Sequence, residues 1–424
     1  MAIYEFLNQF QEISFHMPGH KGQIPISIKD VTELSGTDNL MCPEGIIQQA
    51  QEAMAKKLSA REAFFLTNGA SSGILASILA TVRENETVLV DRNCHASVLN
   101  ALILCGGVPK FVYPKENLEF GIPRPLTAED ITYSGEKTVI VTSPTYYGEV
   151  SDMDAIRNKV GDAVLIQDES HGAHFYFCDA LAKFRTYVAD MSILSFHKTM
   201  PTLNQGAVLA LYAGGISPKR VKQAINMVTT TSPSYPILSS LDYAGMYGEQ
   251  LYGDDTILHK IKELKQALCS ETNLHILEND DCYKLLINCD GVNLSAGEIQ
   301  TILEEQYSIY LEGVFGNNLL FMFSPCNRVQ EVEILQNALC SMKLMDSEPK
   351  EKIQIPLLKL SQTMTPREAY FREGEIIPVR EAAGRVSKEN VTQFPPCVPL
   401  ITIGETISKE AISYLNQEFI EVVK

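Results

Sequence analysis

Short apolar runs alternate with helix-length segments up to about residue 250. Nearly continuous apolar strands that are separated by helices are typical of a parallel sheet covered on both faces. The pattern therefore predicts an α/β domain in which the carboxyl ends of the strands meet at one edge. The predicted strands lie at residues 64–66, 87–91, 110–113, 138–142, 163–167, 191–196 and 207–212, and the predicted helices lie at 46–58, 74–82, 98–104 and 154–160.

The pattern predicts a smaller unit after residue 250, because strands become fewer and helices longer. A helical region at 235–268 leads into it, strands are expected at 283–288 and 319–323, and helices are expected at 295–306, 329–342 and 408–418. A chain of 424 residues is too long for one ordinary core. We therefore expect an N-terminal arm at 1–45, a major domain at 46–250, a small α/β domain at 251–345 and a C-terminal domain at 346–424.

Composition and charge limit the possible partners. The chain is 45% hydrophobic and 21% charged, as in ordinary globular proteins, and its formal net charge is −17. This acidic balance argues against nucleic acid or an anionic membrane surface as a partner. The ten cysteines show no CxxC spacing, which favours buried free thiols over disulfides or a zinc site. The sequence has no visible signal peptide and no apolar run that reaches the roughly 18 residues of a membrane span, so we expect a cytoplasmic protein.

A lysine follows the apolar strand at 191–196. Lys198 belongs to the segment 195–199, a Ser-Phe-His-Lys-Thr sequence, and so lies at the end of a strand, where α/β folds place their chemistry. A surface lysine would be the ordinary alternative. However, Ser195 and His197 could both bind a phosphate, and a nearby cation helps an amine to lose its proton. A lysine in this setting can attack a carbonyl group.

An acidic residue ends the preceding strand. Asp168 could hold a cationic heterocycle, and a strand-end aspartate with a strand-end lysine supplies the two protein groups that pyridoxal phosphate needs. Asp168 could instead cap a helix or bind a metal, since His171 and His174 are spaced as zinc ligands could be. Gly172 argues against a helix that presents both histidines on one face. Pyridoxal phosphate is the favoured interpretation.

Three other segments carry polar residues that a phosphate cofactor could use. The segment 67–73 (Thr-Asn-Gly-Ala-Ser-Ser-Gly) offers backbone N–H groups and hydroxyls at a helix start, although such residues are also ordinary caps. His95 follows the strand at 87–91 and could stack on a planar ligand or simply cap its helix. The arm carries a His-Met-Pro-Gly-His-Lys-Gly sequence at 16–22, an unusual load for a plain turn. A solvated loop is the alternative there.

These segments, taken together and in order, resemble the motifs of the Orn/Lys/Arg decarboxylase family. The matching segments of the major domain lie at 16–21, 68–73, 92–95, 143–148, 168–174, 195–199 and 231–235, and those at 394–396, 399–400 and 404–405 resemble the C-terminal domain. The chain begins almost at the first motif, so it resembles the short form of the family, which lacks the N-terminal wing domain. The resemblance implies an aspartate-aminotransferase-like fold, fold type I, with pyridoxal phosphate as cofactor.

The resemblance also implies a role for each site residue. Lys198 would form the covalent link to the cofactor, Asp168 would pair with its pyridine nitrogen and His95 would stack on its ring. The phosphate would be held by a set of hydroxyls and an imidazole, namely Ser71, Ser72, Ser195 and His197. His171 would lie near the phenolic oxygen of the cofactor or the substrate carboxylate, and Lys198 or His197 would return a proton to Cα. In this fold the site lies at a dimer interface, so Ser232 and Ser234 would serve the neighbouring subunit.

The implied activity is decarboxylation of a basic L-amino acid, with arginine or lysine preferred over ornithine, to a polyamine-pathway amine and CO2. The implied partners are this small substrate and a second copy of the chain in a homodimer or a higher oligomer. Another fold type I reaction, transamination or aldol cleavage, stays open, as does a non-catalytic regulatory member. Three positions depart from the usual family pattern: Ser170 stands where alanine is usual, residues 70–71 are Ala-Ser instead of a Ser/Thr pair, and Cys397 replaces glycine.

Overall fold

The computed structural model describes residues 12–23, 29–342, 344–345, 347, 357–393 and 398–424. The matching segment at 394–396, Cys397 and most of the first residues of the expected C-terminal domain, 346–356, lie outside these residues. Within the described part of the chain no helix is both long enough and apolar enough to cross a membrane. Nine cysteines are described and all are free; Cys94, Cys178 and Cys289 are buried, whereas Cys42 and Cys269 are exposed, so the prediction of buried thiols is only partly correct.

The major domain contains a mixed seven-stranded sheet in the order β2-β10-β9-β8-β7-β3-β4. Neighbouring strands are parallel except at β10, which runs antiparallel to both β2 and β9. The predicted parallel sheet is thus confirmed, with one reversed strand that the sequence pattern did not reveal. The strands of this part of the chain are β1 (Ile13–Phe15), β2 (Glu62–Leu66), β3 (Thr87–Asp91), β4 (Val108–Val112), β5 (Glu116–Asn117), β6 (Ile122–Pro123), β7 (Thr138–Thr142), β8 (Val164–Asp168), β9 (Met191–Leu194) and β10 (Ala207–Leu211).

Helices cover both faces of this sheet, because its strands are apolar on both sides. Gly73 of one helix packs directly on β2 and β9, where a Cβ atom would lie 2.7 Å from Leu66 and 3.0 Å from Ile193. This close approach brings the first turn of the helix to the carboxyl edge of the sheet. The helices are α1 (Ile46–Lys57), α2 (Gly69–Thr81), α3 (Ala96–Cys105), α4 (Met153–Val160), α5 (Phe196–Thr199), α6 (Pro218–Val228) and α7 (Tyr235–Tyr252), with 3-10 turns at Ala173–Tyr176 and Asp179–Phe184.

The small unit has a four-stranded antiparallel sheet in the order β11-β12-β15-β14. Strand β1 of the arm pairs in parallel with β13, so the arm is joined to this unit. The predicted helical region at 235–268 is two helices, separated at residues 253–255. The elements are α8 (Thr256–Glu271), β11 (His275–Ile276), β12 (Lys284–Asn288), α9 (Ala296–Tyr307), β13 (Ile309–Leu311), β14 (Gly313–Phe315), β15 (Asn318–Met322) and α10 (Val329–Ser341).

The last part of the chain forms short antiparallel strand pairs around its own apolar cluster. The predicted helix at 408–418 is wrong in extent, because the helix ends at Ser413 and the chain finishes in a strand that pairs with β17. The elements are β16 (Ser361–Gln362), α11 (Pro366–Phe371), β17 (Gly374–Pro378), a 3-10 turn (Val379–Glu381), β18 (Val391–Gln393), β19 (Val398–Ile401), β20 (Glu405–Thr406), α12 (Lys409–Ser413) and β21 (Phe419–Val423).

Candidate active site

A pocket of about 230 Å³ lies at the carboxyl edge of the large sheet. The ends of β3, β7, β8 and β9 and the start of α2 converge on it, as expected for parallel strands. Val398 reaches it from the C-terminal region. The lining residues are Gly69, Ala70, Ser71, Ile74, Asn93, His95, Thr142, Tyr146, Asp168, Ser170, His171, Ser195, His197, Lys198 and Val398.

Lys198 and His171 lie in direct contact. Helix α5 is a single turn that begins where β9 ends, and it directs Lys198 across the pocket so that its Nζ lies 2.9 Å from His171 Nε2. Burial lowers the pKa of His171 well below its usual value, and the charge of Lys198 acts in the same direction. The imidazole is therefore neutral near pH 7, and its Nε2 can accept the hydrogen bond from the lysine amine.

Asp168 is the last residue of β8 and is buried. Its Oδ1 accepts hydrogen bonds from the Ser170 hydroxyl at 2.5 Å and from the Ser170 backbone N–H at 3.2 Å. Ser170, the serine at a position where alanine is usual in the resembled family, therefore donates to the carboxylate. This contact holds Asp168 in one orientation.

The phosphate-binding candidates divide into two groups. Ser71 is exposed at the first turn of α2 and lines the pocket, as do Ser195 and His197. Ser72 does not line the pocket, because its side chain is buried and donates to the Gly69 carbonyl at 2.8 Å. Its hydroxyl is thus turned away from the position that the sequence predicted. The Gly69 N–H of this first turn donates to the Gln205 carbonyl at 2.9 Å, so an anion would be bound by the N–H groups that follow it.

His197 is held as a neutral imidazole. Its Nδ1 lies 3.2 Å from the Gly206 carbonyl and 3.2 Å from the Ser195 hydroxyl. Burial lowers the pKa of His197 to about 4, and the charge of Lys198 adds to this effect. Because a carbonyl oxygen only accepts, the proton of the neutral ring lies on Nδ1. A phosphate beside Nε2 would favour the doubly protonated imidazolium, in which Nε2 donates as well.

His95 combines the two alternatives that the sequence left open. It is the N-cap of α3, where its Nδ1 accepts from the Ser97 backbone N–H at 3.1 Å and lies 2.8 Å from the Ser97 hydroxyl. Its ring also lines the pocket. Burial lowers the pKa of His95, so the ring is neutral at pH 7 and could stack on a planar ligand.

The N-terminal arm packs against the lysine segment. The Gly19 N–H donates to the His197 carbonyl at 2.8 Å, and a Cβ atom at Gly19 would lie 2.7 Å from the carbonyl carbon of Thr199. Only glycine fits this approach. The segment at 16–22 thus has a structural role in part, and the arm is not a solvated loop at this point.

The arm also meets Tyr146 through Glu312. Tyr146 donates from its hydroxyl to Glu312 Oε1 at 2.6 Å, and the Met17 N–H donates to Glu312 Oε2 at 2.9 Å. The Tyr146 ring packs edge-on against His171, with ring centroids 4.9 Å apart. A carboxylate from the small unit therefore stands behind one wall of the pocket.

Two buried charged residues of the small unit also support the site. Lys284 donates from Nζ to the Tyr146 carbonyl at 3.0 Å, and Asp281 Oδ1 lies 3.0 Å from His174 Nε2. Burial lowers the pKa of Lys284 to about 8. Asp281 is thus the partner of His174, and the described residues contain no group of three or more potential metal ligands.

Ser232 does not reach this pocket. It is exposed, and its backbone N–H donates to the Thr230 hydroxyl at 3.2 Å. Sequence reasoning also missed pocket residues: Ile74, Thr142 and Val398 line the cavity. Thr142 ends a predicted strand, which is a usable signal, whereas nothing in the local sequence places Val398 beside a strand end some 300 residues earlier.

The fold and the strand-end pocket define a class, the α/β proteins with the aspartate-aminotransferase-like fold of type I. The solved structure of the Escherichia coli constitutive lysine decarboxylase matches 99% of this chain and 81% of its own with a TM-score of 0.80 and 19% identity. YbdL from Escherichia coli, described as having a methionine aminotransferase function, matches 72% of this chain and 85% of its own with a TM-score of 0.51 and 17% identity. At these identities the likeness shows the fold.

The sequence then places the chain within one family of that class. Residues 2–287 match the major domain and residues 351–421 match the C-terminal domain of the Orn/Lys/Arg decarboxylases. The chain belongs to this family, whose characterised relatives are pyridoxal-phosphate-dependent decarboxylases. The arginine decarboxylase of Bacillus subtilis is 30% identical over an alignment of 445 positions that covers 96% of this chain and 90% of that protein.

The residues of the pocket fit pyridoxal phosphate. Two buried polar atoms at its wall, His171 Nδ1 and Thr142 Oγ1, have no hydrogen-bond partner among the described residues. Buried polar atoms are rarely left unpaired, so such atoms indicate a missing polar ligand. Asp168, Lys198 and the first turn of α2 supply a carboxylate, an amine and an anion site, which match the pyridine nitrogen, the aldehyde and the phosphate.

Proposed function

We propose that this protein decarboxylates a basic L-amino acid with pyridoxal phosphate as its cofactor. The observation that carries the proposal is the Lys198 amine beside His171 in the same pocket as the Asp168 carboxylate. When bound, the cofactor supplies an aldehyde that links to amino groups and a ring that accepts the electron pair left by the departing CO2.

The residues of the chain have distinct tasks in this reaction. Lys198 would hold the cofactor through its amine. Asp168 would pair with the pyridine nitrogen, and His95 would stack on the ring. Ser71, Ser195, His197 and the first turn of α2 hold the phosphate, with Ser72 contributing its backbone N–H only. Lys198 or His197 returns the proton to Cα, and His171 orients Lys198 or the substrate carboxylate.

We favour arginine or lysine over ornithine as substrate. The family assignment and the arginine decarboxylase relative support a basic amino acid. The test is release of labelled CO2 from arginine, lysine and ornithine by the purified protein with added pyridoxal phosphate. Formation of a keto acid without CO2 would instead indicate transamination, and an absence of cofactor binding would indicate a non-catalytic regulatory member.

The active site is also proposed to be shared between two copies of the chain. Ser232 is exposed and remote from its own pocket, as expected if it serves the neighbouring subunit. Sedimentation of the purified protein at the mass of a single 47.1 kDa chain would exclude the homodimer and any higher oligomer.

Glu312 is our candidate for recognition of the distal cation of the substrate. Among the described residues that line the pocket, Asp168 is the one carboxylate and the cofactor engages it, whereas Glu312 stands next behind Tyr146. We expect Glu312→Gln to raise KM for the substrate about 10- to 100-fold, because a hydrogen bond to a charged group contributes about 1.5–3 kcal/mol. The measurement is KM for each basic amino acid.

Neutral analogues provide the matched control for Glu312. Citrulline and norleucine resemble arginine and lysine but lack the distal charge, so their inhibition constants should not change in Glu312→Gln. An equal weakening of charged and neutral ligands would show that Glu312 only positions Tyr146. An unchanged KM would exclude Glu312 from cation recognition.

Ser170 is expected to moderate the Asp168 carboxylate. Its hydroxyl withdraws negative charge from Oδ1, while its backbone N–H maintains the orientation. We therefore expect Ser170→Ala to increase kcat about two- to tenfold, the equivalent of one net hydrogen bond. The control is Ser77→Ala, which removes a buried hydroxyl bonded within α2. A tenfold fall in kcat for Ser170→Ala alone would show that the hydroxyl is needed for orientation.

A further inference from the structure

The C-terminal region forms part of the wall of the cofactor pocket. Val398, the first residue of β19, lines the cavity together with Asn93 and His95, which follow β3. The region has its own apolar cluster, so it packs as a unit of its own. The pocket is therefore complete only when this unit is docked on the major domain.

One side chain joins the two parts at this point. Arg92 follows β3, immediately before Asn93, and is fully buried. Its Nη1 donates to the Pro399 carbonyl and its Nη2 donates to the Leu400 carbonyl at 3.0 Å. These two acceptors follow Val398 directly in the chain. The guanidinium thus binds the segment that carries Val398.

Arg92 also makes a buried ion pair with the same unit. Its Nη2 lies 3.5 Å from Glu405 Oε2, and both side chains are 0% exposed. Glu405 Oε2 accepts in addition from the Thr402 N–H at 2.7 Å, and Arg92 lies over the Phe111 ring at 5.0 Å from its centroid. A buried guanidinium requires acceptors, and those that bind the two Nη atoms of Arg92 all belong to the docked unit.

We propose that Arg92 and Glu405 are positioning residues that hold the C-terminal unit against the pocket, so that docking of this unit controls retention of the cofactor. The inference rests on the proposed binding of pyridoxal phosphate. Arg92 does not line the pocket. It acts on the pocket through two lining residues, Val398 and its chain neighbour Asn93.

The test compares two arginines that connect the C-terminal unit with the region of α3. Arg92 precedes the start of α3. Arg367 belongs to the C-terminal unit and donates to the Leu104 carbonyl near the end of α3, away from the pocket. We expect Arg92→Lys and Glu405→Gln to raise the dissociation constant of pyridoxal phosphate about tenfold, since lysine cannot span the same acceptors. Arg367→Ala should stay within twofold of the parent protein.

Limited proteolysis of the full chain supplies a second readout. Arg92→Lys should speed cleavage within the C-terminal unit, and saturating pyridoxal phosphate should slow that cleavage again, because docking and binding are reciprocal. If Arg367→Ala is also cleaved faster but keeps its affinity for the cofactor, docking of the C-terminal unit does not govern retention of the cofactor. The same cofactor affinity in Arg92→Lys and the parent protein would overturn the proposal.

Val398→Gly is a second variant that tests the role of the wall if the Arg92 variant does not fold. This change removes the wall side chain and leaves the ion pair in place. We expect weaker cofactor binding with an unchanged proteolysis pattern. If Val398→Gly binds the cofactor as the parent does, the wall has no role and the proposal fails. A parent protein that binds no pyridoxal phosphate would instead refute the proposed function.

Discussion

Lys198→Ala is expected to reduce the rate of decarboxylation at least about 1,000-fold, because it removes the amine that links to the cofactor and passes it to the substrate. The amine lies 2.9 Å from the buried His171, and Lys198 is the one lysine among the described residues that line this pocket. The measurements are kcat with saturating cofactor and the visible absorbance of the lysine-bound cofactor, which should disappear.

The matched control for Lys198 is Lys222, another partly buried lysine. Burial lowers the pKa of Lys222 to about 8, but Lys222 donates to the Leu40 carbonyl, outside the cofactor pocket. Lys222→Ala should keep both the absorbance and the rate. A small primary amine added to Lys198→Ala should restore part of the rate, since it supplies the missing group. Activity within tenfold of the parent protein in Lys198→Ala would remove this lysine from the mechanism.

The placement of Lys198, Asp168 and His95 could be predicted from the sequence because it follows from local rules. Asp168 ends an apolar strand, whereas Lys198 and His95 lie shortly after the ends of β9 and β3. Parallel strands bring their carboxyl ends to one edge. The family resemblance added roles to positions that the strand pattern had already gathered. The reversed direction of β10 was not predictable in this way, because an apolar strand reads the same in either direction.

The orientation of the Ser72 hydroxyl has a geometric cause. Ser71 and Ser72 are successive residues in the first turn of α2, where neighbouring side chains point about 100° apart. The sequence does not say which of the two hydroxyls faces the pocket. The structure turns Ser72 inward to the Gly69 carbonyl and leaves Ser71 at the cavity.

Residues contributed by distant parts of the chain were missed altogether. Glu312, Lys284 and Val398 reach the site from the small unit and the C-terminal region, and they lie in segments without a chemical motif. The extent of the last helix was predicted wrongly for the same reason. The segment β21 is a strand because it pairs with β17, a contact that no local propensity encodes. Tertiary contacts decide such positions.

Asp168→Asn is expected to lower kcat by about 100- to 1,000-fold while the protein stays folded. An amide has nearly the same shape and can still accept from the Ser170 hydroxyl, but it has no charge with which to keep the pyridine nitrogen protonated. The bond at Cα would then break without an effective electron acceptor. The measurements are kcat with labelled substrate and the dissociation constant of the cofactor, which should also rise.

Glu169 provides the control, because it is the next residue and is also a buried carboxyl. Burial raises the pKa of Glu169 to about 8, and the Tyr176 hydroxyl donates to it at 3.1 Å. Glu169 is therefore mostly protonated at pH 7, so Glu169→Gln changes little charge and should keep kcat within a few fold. Equal losses in both variants would mean that the effect of Asp168→Asn arises from disturbed packing at the end of β8. A loss confined to Asp168→Asn identifies the charge of this one carboxylate as the requirement.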